Sequence, residues 1–258
     1  AGGNVSQEVA YCLNTGHETL LKLLEFGLDI DEAAACISFK LGIGSDYFFE
    51  TVKFRVLKSL WSSVISAYKP KHGCTHNCSI TAVVGLMNKS LIDPYTNLLR
   101  QTTEVLSAVN ASVDSILVLP YDSHALSGKS ELAQRMAVNI SLILKDEAYM
   151  DKVIDPFGGS YTIEQLSHSI MNKTWSIFLE LETTGSLFIE SNWQSFKTSI
   201  EKTRAKRIEL FLDQEITCIG INKYQDLKKG DSPIYNETSA YRGISPLILE
   251  KEYNSLAE

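Results

Sequence analysis

His72-Gly73-Cys74-Thr75-His76-Asn77-Cys78 holds two imidazoles and two thiols within seven residues, a donor set whose softness suits zinc. The spacings are Cys-x3-Cys and His-x3-His interleaved on one stretch, not two knuckles that a fold brings together. The expectation is an exposed loop leading into a strand. A metal-binding module using His72, Cys74, His76 and Cys78 is the alternative. Asp46 and Glu50 stand at the start of an apolar-periodic run, where carboxylates complement the helix macrodipole, so capping is expected of both ahead of catalysis. His17 and His168 fall inside helical spans and read as surface or helix-face residues.

The elements that would carry these residues follow from apolar periodicity. Val9, Leu13, Leu20, Leu21 and Leu24 predict a helix from Gln7 to Phe26, broken near Gly16 and ended by Gly27. A short helix through Ala35, a strand over Ile37–Ile43 and an amphipathic helix from Asp46 to Tyr68 follow. Ser79–Gly85 reads as a buried strand. Leu98, Thr102, Val105 and Val109 line one helix face, and Val113–Pro120 is a third strand. A polar loop from Tyr121 to Lys129 then leads to a helix from Ser130 to about Glu147, with Leu132, Met136, Ile140 and Leu144 on its apolar side. Three strand–loop–helix units in succession argue for parallel strands with crossover helices. An open doubly wound sheet and part of a (β/α)8 barrel both satisfy that pattern. No Gly-x-Gly-x-x-Gly follows a strand, which disfavours a dinucleotide site.

Asp155-Pro156-Phe157-Gly158-Gly159-Ser160-Tyr161 reads as a hard turn feeding a helix. The Asp155 carboxylate caps the turn, Pro156 pre-sets φ, and Gly159 allows a positive-φ step. Thr162 and Gln165 stand at capping-box spacing. The helix from Ile163 to Glu182 is interrupted at Gly185, and a further helical span carries Trp193, Phe196, Ile200, Arg204 and Arg207. Glu215–Ile221 is strand-like, and Pro233 and Pro246 punctuate a polar tail. The second half is thus expected to be a helical extension lying on the α/β part, dividing the chain at 1–150 and 151–258.

With 258 residues and 44% hydrophobic content, the chain can bury a full core as one large or two small domains. A net charge of −7 without a sustained basic run argues against nucleic acid as a partner. No apolar run approaches the ~20 residues that a membrane helix requires. Cys12, Cys36, Cys74, Cys78 and Cys218 are odd in number and irregularly spaced, which favours a reducing compartment, hence the cytoplasm. Ala1-Gly2-Gly3 carries no initiator Met, so the chain is expected to be a piece of a longer protein.

Taken together, these segments resemble the methylmalonyl-CoA mutase family. The turn at Asp155–Tyr161 resembles its Asp-Pro-x-Gly-Gly-Ser-Tyr signature, preceded by Arg135, Asn139, Leu142-Ile143-Leu144 and Glu147. Gly27-Leu28-Asp29-Ile30-Asp31, Ser38-Phe39, Phe48-Phe49-Glu50, Lys53, Arg55 and Leu60-Trp61 match a second block. Asp93-Pro94-Tyr95, Asn97, Arg100 and Glu104 match a third, and Gly220-Ile221-Asn222-Lys223-Tyr224 a fourth. The resemblance implies a partial (β/α)8 TIM barrel, its last three strands with their helices, followed by the helical extension. It also implies acyl-CoA along the barrel axis and adenosylcobalamin against the C-terminal face. The reaction implied is radical interconversion of methylmalonyl-CoA and succinyl-CoA, a step of propionate metabolism.

The same resemblance implies an erased active site. Active subunits carry a His-x-Gln-Thr-Ser-Gly-Trp-like run on the seventh strand, where this chain has Thr81 at the His, Val83 at the Gln, and Leu86 and Met87 at Gly-Trp. Cys36 replaces an Arg near the CoA phosphates, and Leu117–Ser123 replace a His-Thr-Asn-x-Asp-Glu-Ala-like run. Ser38 and Asp122 persist, with Ser38 the one candidate substrate contact. Asp122-Ser123-His124-Ala125-Leu126-Ser127-Gly128 is similar to the Asp-x-His-x-x-Gly loop of corrinoid-binding domains but is one residue too long and lacks that domain's later elements. The expectation is a non-catalytic small subunit, binding no cobalamin itself and pairing with a catalytic large subunit in a heterodimer. The alternative is a directly catalytic mutase of another branched acyl-CoA.

Overall fold

The computed structural model describes residues 2–126, 130–225, 234–235 and 240–255. Helix α1 (Val5–Glu25) is followed by α2 (Ile30–Ala35), strand β1 (Ser38–Ile43), α3 (Tyr47–Ala67), β2 (Ser79–Val84), α4 (Thr96–Asn110), β3 (Ser115–Leu117) and α5 (Glu131–Leu142). After them come α6 (Tyr161–Thr184), α7 (Glu190–Leu212) and α8 (Leu249–Asn254). The three strands form one parallel sheet in the order β1-β2-β3, with Ser38 opposite Ser79, Gly42 opposite Val83, and Thr81 opposite Ser115. Parallel strands joined by helices are what the sequence pattern predicts.

Period-two alternation gives the sheet two unlike faces. Phe39, Leu41, Ile43, Ile80, Ala82 and Val84 share one core with Leu13 of α1, Phe54 of α3, Val105 of α4 and Ile170 of α6. Ser38, Lys40, Ser79, Thr81, Val83, Ser115 and Leu117 take the other face, where none is buried. Parallel sheets are ordinarily covered on both sides. Among the described residues this side is bordered by clefts towards α7 and residues 241–247 and not buried by a second helical layer.

Several elements differ from the sequence expectation for identifiable reasons. Helix α1 runs unbroken through Gly16, because that glycine serves packing. A Cβ there would lie 2.8 Å from Phe39 Cε1 and 3.1 Å from Trp61 Cζ3. Strand β3 is three residues long instead of eight, since Val118 to Tyr121 turn away to meet Gln101 and Asn97. On α5 the buried stripe is Ala133, Ala137 and Ile140, continued by Leu144 in the π-helical turn Ile143–Glu147 that follows, and Leu132 is exposed. Glu215–Ile221 is not a strand; it is a turn around Asn222, whose side chain accepts from Cys218 N at 2.8 Å and donates to Phe211 O at 2.9 Å. Pro233 and the segment Ser127–Lys129 lie outside the described residues.

The turn at Asp155 is also closed by other means than expected. Gly158 N donates to Asp155 O at 3.0 Å, with Asp155 at φ 50° and Gly159 at φ 80°. The Asp155 carboxylate instead pairs with Arg55 of α3, which also holds Glu164 at 2.8 Å. Ser160, not Thr162, is the N-cap residue, and Glu164 reaches back to Gly159 N at 3.1 Å. The family-like turn therefore fastens α6 to α3. His17 makes a second link: its ring nitrogens lie 2.8 Å from Glu182 Oε2 on α6 and 2.6 Å from Tyr68 OH. Among the described residues no helix is long and apolar enough to cross a membrane.

Candidate functional site

A cleft of about 450 Å³ opens at the C-terminal ends of β1 and β2. Val83, Leu86, Met87, Glu50, Lys53 and Arg207 are among the residues that line it. Lys53 is 1% exposed, and its ammonium donates to Glu8 Oε2 at 2.9 Å, to Gly42 O at 2.7 Å and to Glu50. Glu50 stands in the first turn of α3, as expected, with its carboxylate engaged by Lys53, and the side-chain cap of α3 is Asp46, accepting from Phe49 N. Burial works against a charge on Lys53, but Glu8 and then Glu50 outweigh it and hold the amine above its ordinary range. Burial pushes the Glu50 carboxyl up, with Lys53 pulling the other way. Every donor of the ammonium is thus engaged. The cluster braces α1, α3 and β1.

The positions compared with active subunits are spread over the uncovered face of the sheet, the loops after β2 and β3, and the end of α2. Thr81 Oγ1 lies 2.7 Å from Ser115 Oγ, and Val83 faces Leu117 across the ladder. Ser38 is exposed at the opposite, N-terminal end of β1. Cys36 is exposed as the C-cap of α2.

The His72–Cys78 loop does not converge. The backbone N–H groups of Lys71 and His72 donate to Asp31 at 3.1 and 3.2 Å, and the Thr75 hydroxyl joins them. His76 faces Ser66 Oγ at 3.3 Å, Cys74 is exposed, and Cys78 is buried with its thiol pushed up to about 12 by burial. Among the described residues no three His, Cys, Asp or Glu side chains are grouped to hold a metal ion.

His124 is buried, at 2% exposure, and stacks on Tyr235 with ring centroids 6.1 Å apart. Among the described residues neither of its ring nitrogens has a hydrogen-bond partner, and burial holds its pKa below the ordinary value. Asp122 accepts from Ser130 N at 2.9 Å at the start of α5. The family-like block after β2 is structural too. Asn97 accepts from Ser90 N at 2.9 Å and donates to Tyr121 O at 3.0 Å, tying the loops after β2 and β3. Lys89 and Glu104 form a buried pair at 2.6 Å. Sequence reasoning missed both buried lysines. The available signal was Lys53 falling between the apolar positions Val52, Phe54 and Val56.

A parallel α/β domain with a cleft at the C-terminal ends of its strands is the class of fold that these elements define. The chain belongs to the methylmalonyl-CoA mutase family, whose profile matches residues 1–242. It is 36% identical over 225 residues to the methylmalonyl-CoA mutase small subunit of Porphyromonas gingivalis, covering 87% of this chain and 36% of that relative. A methylmalonyl-CoA mutase small subunit of Streptomyces virginiae is 34% identical over 183 residues, 70% of this chain and 29% of the relative. The methylmalonyl-CoA mutase of Rhizobium meliloti is 32% identical over 230 residues, 87% of this chain and 32% of the relative. The resemblance to small subunits is thus borne out. The chain spans about a third of these relatives, from 29% to 36% of their length.

Proposed function

We propose that this chain supplies the last three strand–helix units of a (β/α)8 barrel, with 151–258 as its helical extension, to the small subunit of a cytoplasmic methylmalonyl-CoA mutase. The small subunit does not catalyse. It stabilises a large subunit that carries adenosylcobalamin and interconverts methylmalonyl-CoA and succinyl-CoA. The observation that carries this reading is the open face of β2, where a hydroxyl engaged by Ser115 and an isopropyl group stand at Thr81 and Val83. Neither can replace an imidazole and an amide that hold a carboxylate and a carbonyl. Ser38 is left as a lone polar contact for the acyl-CoA.

Adenosylcobalamin does not fit the residues present. The histidine of the Asp122–Gly128 loop, the natural candidate for a cobalt ligand, has its ring at 2% exposure beneath Tyr235. No step through the cofactor is therefore assigned to this chain. Reconstitution tests the proposal. The complete chain alone should give no turnover of methylmalonyl-CoA with added adenosylcobalamin, while its addition should raise the melting temperature of the large subunit. Turnover by the complete chain alone would sink the reading.

A further inference from the structure

We propose that the loop Ser90–Ile92, after β2, is an oxyanion-binding site that Glu250 of α8 fills from within the same chain, and that its external ligand is a phosphate or a carboxylate. The proposal is independent of the mutase reading.

Glu250 is 0% exposed, yet it makes no ion pair among the described residues. Neutral donors hold it instead. Leu91 N donates at 2.7 Å, Ile92 N at 3.3 Å and Tyr235 OH at 2.7 Å, and the Ser90 hydroxyl donates as well. Successive backbone N–H groups turned to one point form an anion-binding nest. Lys89 is committed to Glu104 and Asn88, and the Lys251 ammonium lies over the Tyr235 ring, 5.4 Å from its centroid, and not on the carboxylate.

His124 gives the second, separate observation. Its ring stacks on Tyr235, whose hydroxyl holds Glu250, and both of its nitrogens lack partners while buried. Native folds rarely leave such groups unsatisfied. A carboxylate already saturated by four donors has no lone pair left to accept a fifth. A phosphate in its place carries additional oxygens and charge, for which the unpartnered His124, stacked on the tyrosine that holds Glu250, is the available donor. The loop after β2 supplies the nest, the loop after β3 supplies His124, and α8 with Tyr235 forms the plug. A plugged site binds with its intrinsic affinity reduced by the fraction of time that it is open.

Isothermal titration of the complete chain with inorganic phosphate, and separately with acetate, at constant ionic strength tests this. Glu250→Ala should tighten binding of the preferred anion about tenfold or more relative to the unaltered chain, by removal of the internal competitor. Adding His124→Ala to that variant should abolish the gain for phosphate. The larger gain, with phosphate or with acetate, identifies the ligand class. If Glu250→Ala does not fold, Glu250→Gln removes the charge with the shape kept, and any tightening over the unaltered chain supports the site. Unchanged affinity for both anions in a folded variant overturns the proposal. So does a phosphate gain that survives loss of both Ser90 and His124 side chains.

Discussion

Lys53 is the side chain in the cleft with the most to lose. Replacing it with Met leaves Glu50 buried without its cation, and removing one partner of a buried pair costs about 3–5 kcal/mol. Urea denaturation of Lys53→Met should show that loss, and Lys53→Met with Glu50→Leu should recover much of it. His124 gives a pH-dependent prediction. Burial lowers its folded pKa below the ordinary 6.5, against a pull from Glu250 and Asp122 and with a push from Lys89. The unfolded chain therefore takes up a proton first as pH falls, so this contribution is present above 6.5 and lost on acidification. Urea midpoints should fall between about pH 7.5 and about pH 5.5, and His124→Phe should flatten that part of the slope. At this scale the sequence was most legible where a local rule applies. That Thr81 and Val83 sit on the uncovered face of β2 follows from strand alternation alone, whereas Lys53 meeting Glu8 across 45 positions does not follow from any local rule.

Two elements owe their placement to contacts that local sequence rules miss. The turn at Asp155 was legible as a turn, because proline and two glycines state its backbone needs in the sequence itself. Its fastening to α3 through Arg55 was not, since the partners lie 100 residues apart. Arg55→Leu should loosen α6 and lower stability by about 1–3 kcal/mol, the range for hydrogen bonds to charged groups at a half-buried site. Limited proteolysis within 151–160 is the local readout. Gly16 was misread as a break because glycine is a poor helix residue. Where α1 crosses Phe39 and Trp61, absence of a side chain is the requirement. Gly16→Ala should therefore destabilise by about 1–3 kcal/mol through overpacking, although alanine favours helix. A thermal melt showing a rise would mean that helix propensity outweighs the 2.8 Å approach.

The whole molecule is a parallel sheet with one covered face and two outer strands, each with a single neighbour. Its class was readable from three strand–helix units, but the open side was not, because alternation marks which residues leave the core and not what they meet. Lys40, Thr81 and Val83 are as polar and small as a solvated surface, and as an inward barrel face with strands opposite. The outer surface argues for the second meaning. Ile154 is 88% exposed and Leu99 71%, with Val138, Leu142 and Ile143 also uncovered, side chains that further strand–helix units of a barrel would have to cover. Unpaired strand edges add a template for association. The 258 residues on their own should therefore self-associate, giving a broad early peak in sizing at micromolar concentration. If the proposed assignment holds, a large subunit, or the remaining strands of the barrel, should convert that peak to a defined complex and slow amide exchange along β1. A sharp monomer with cooperative melting would mean that the open face is a finished surface, and the barrel assignment would lose its physical motive.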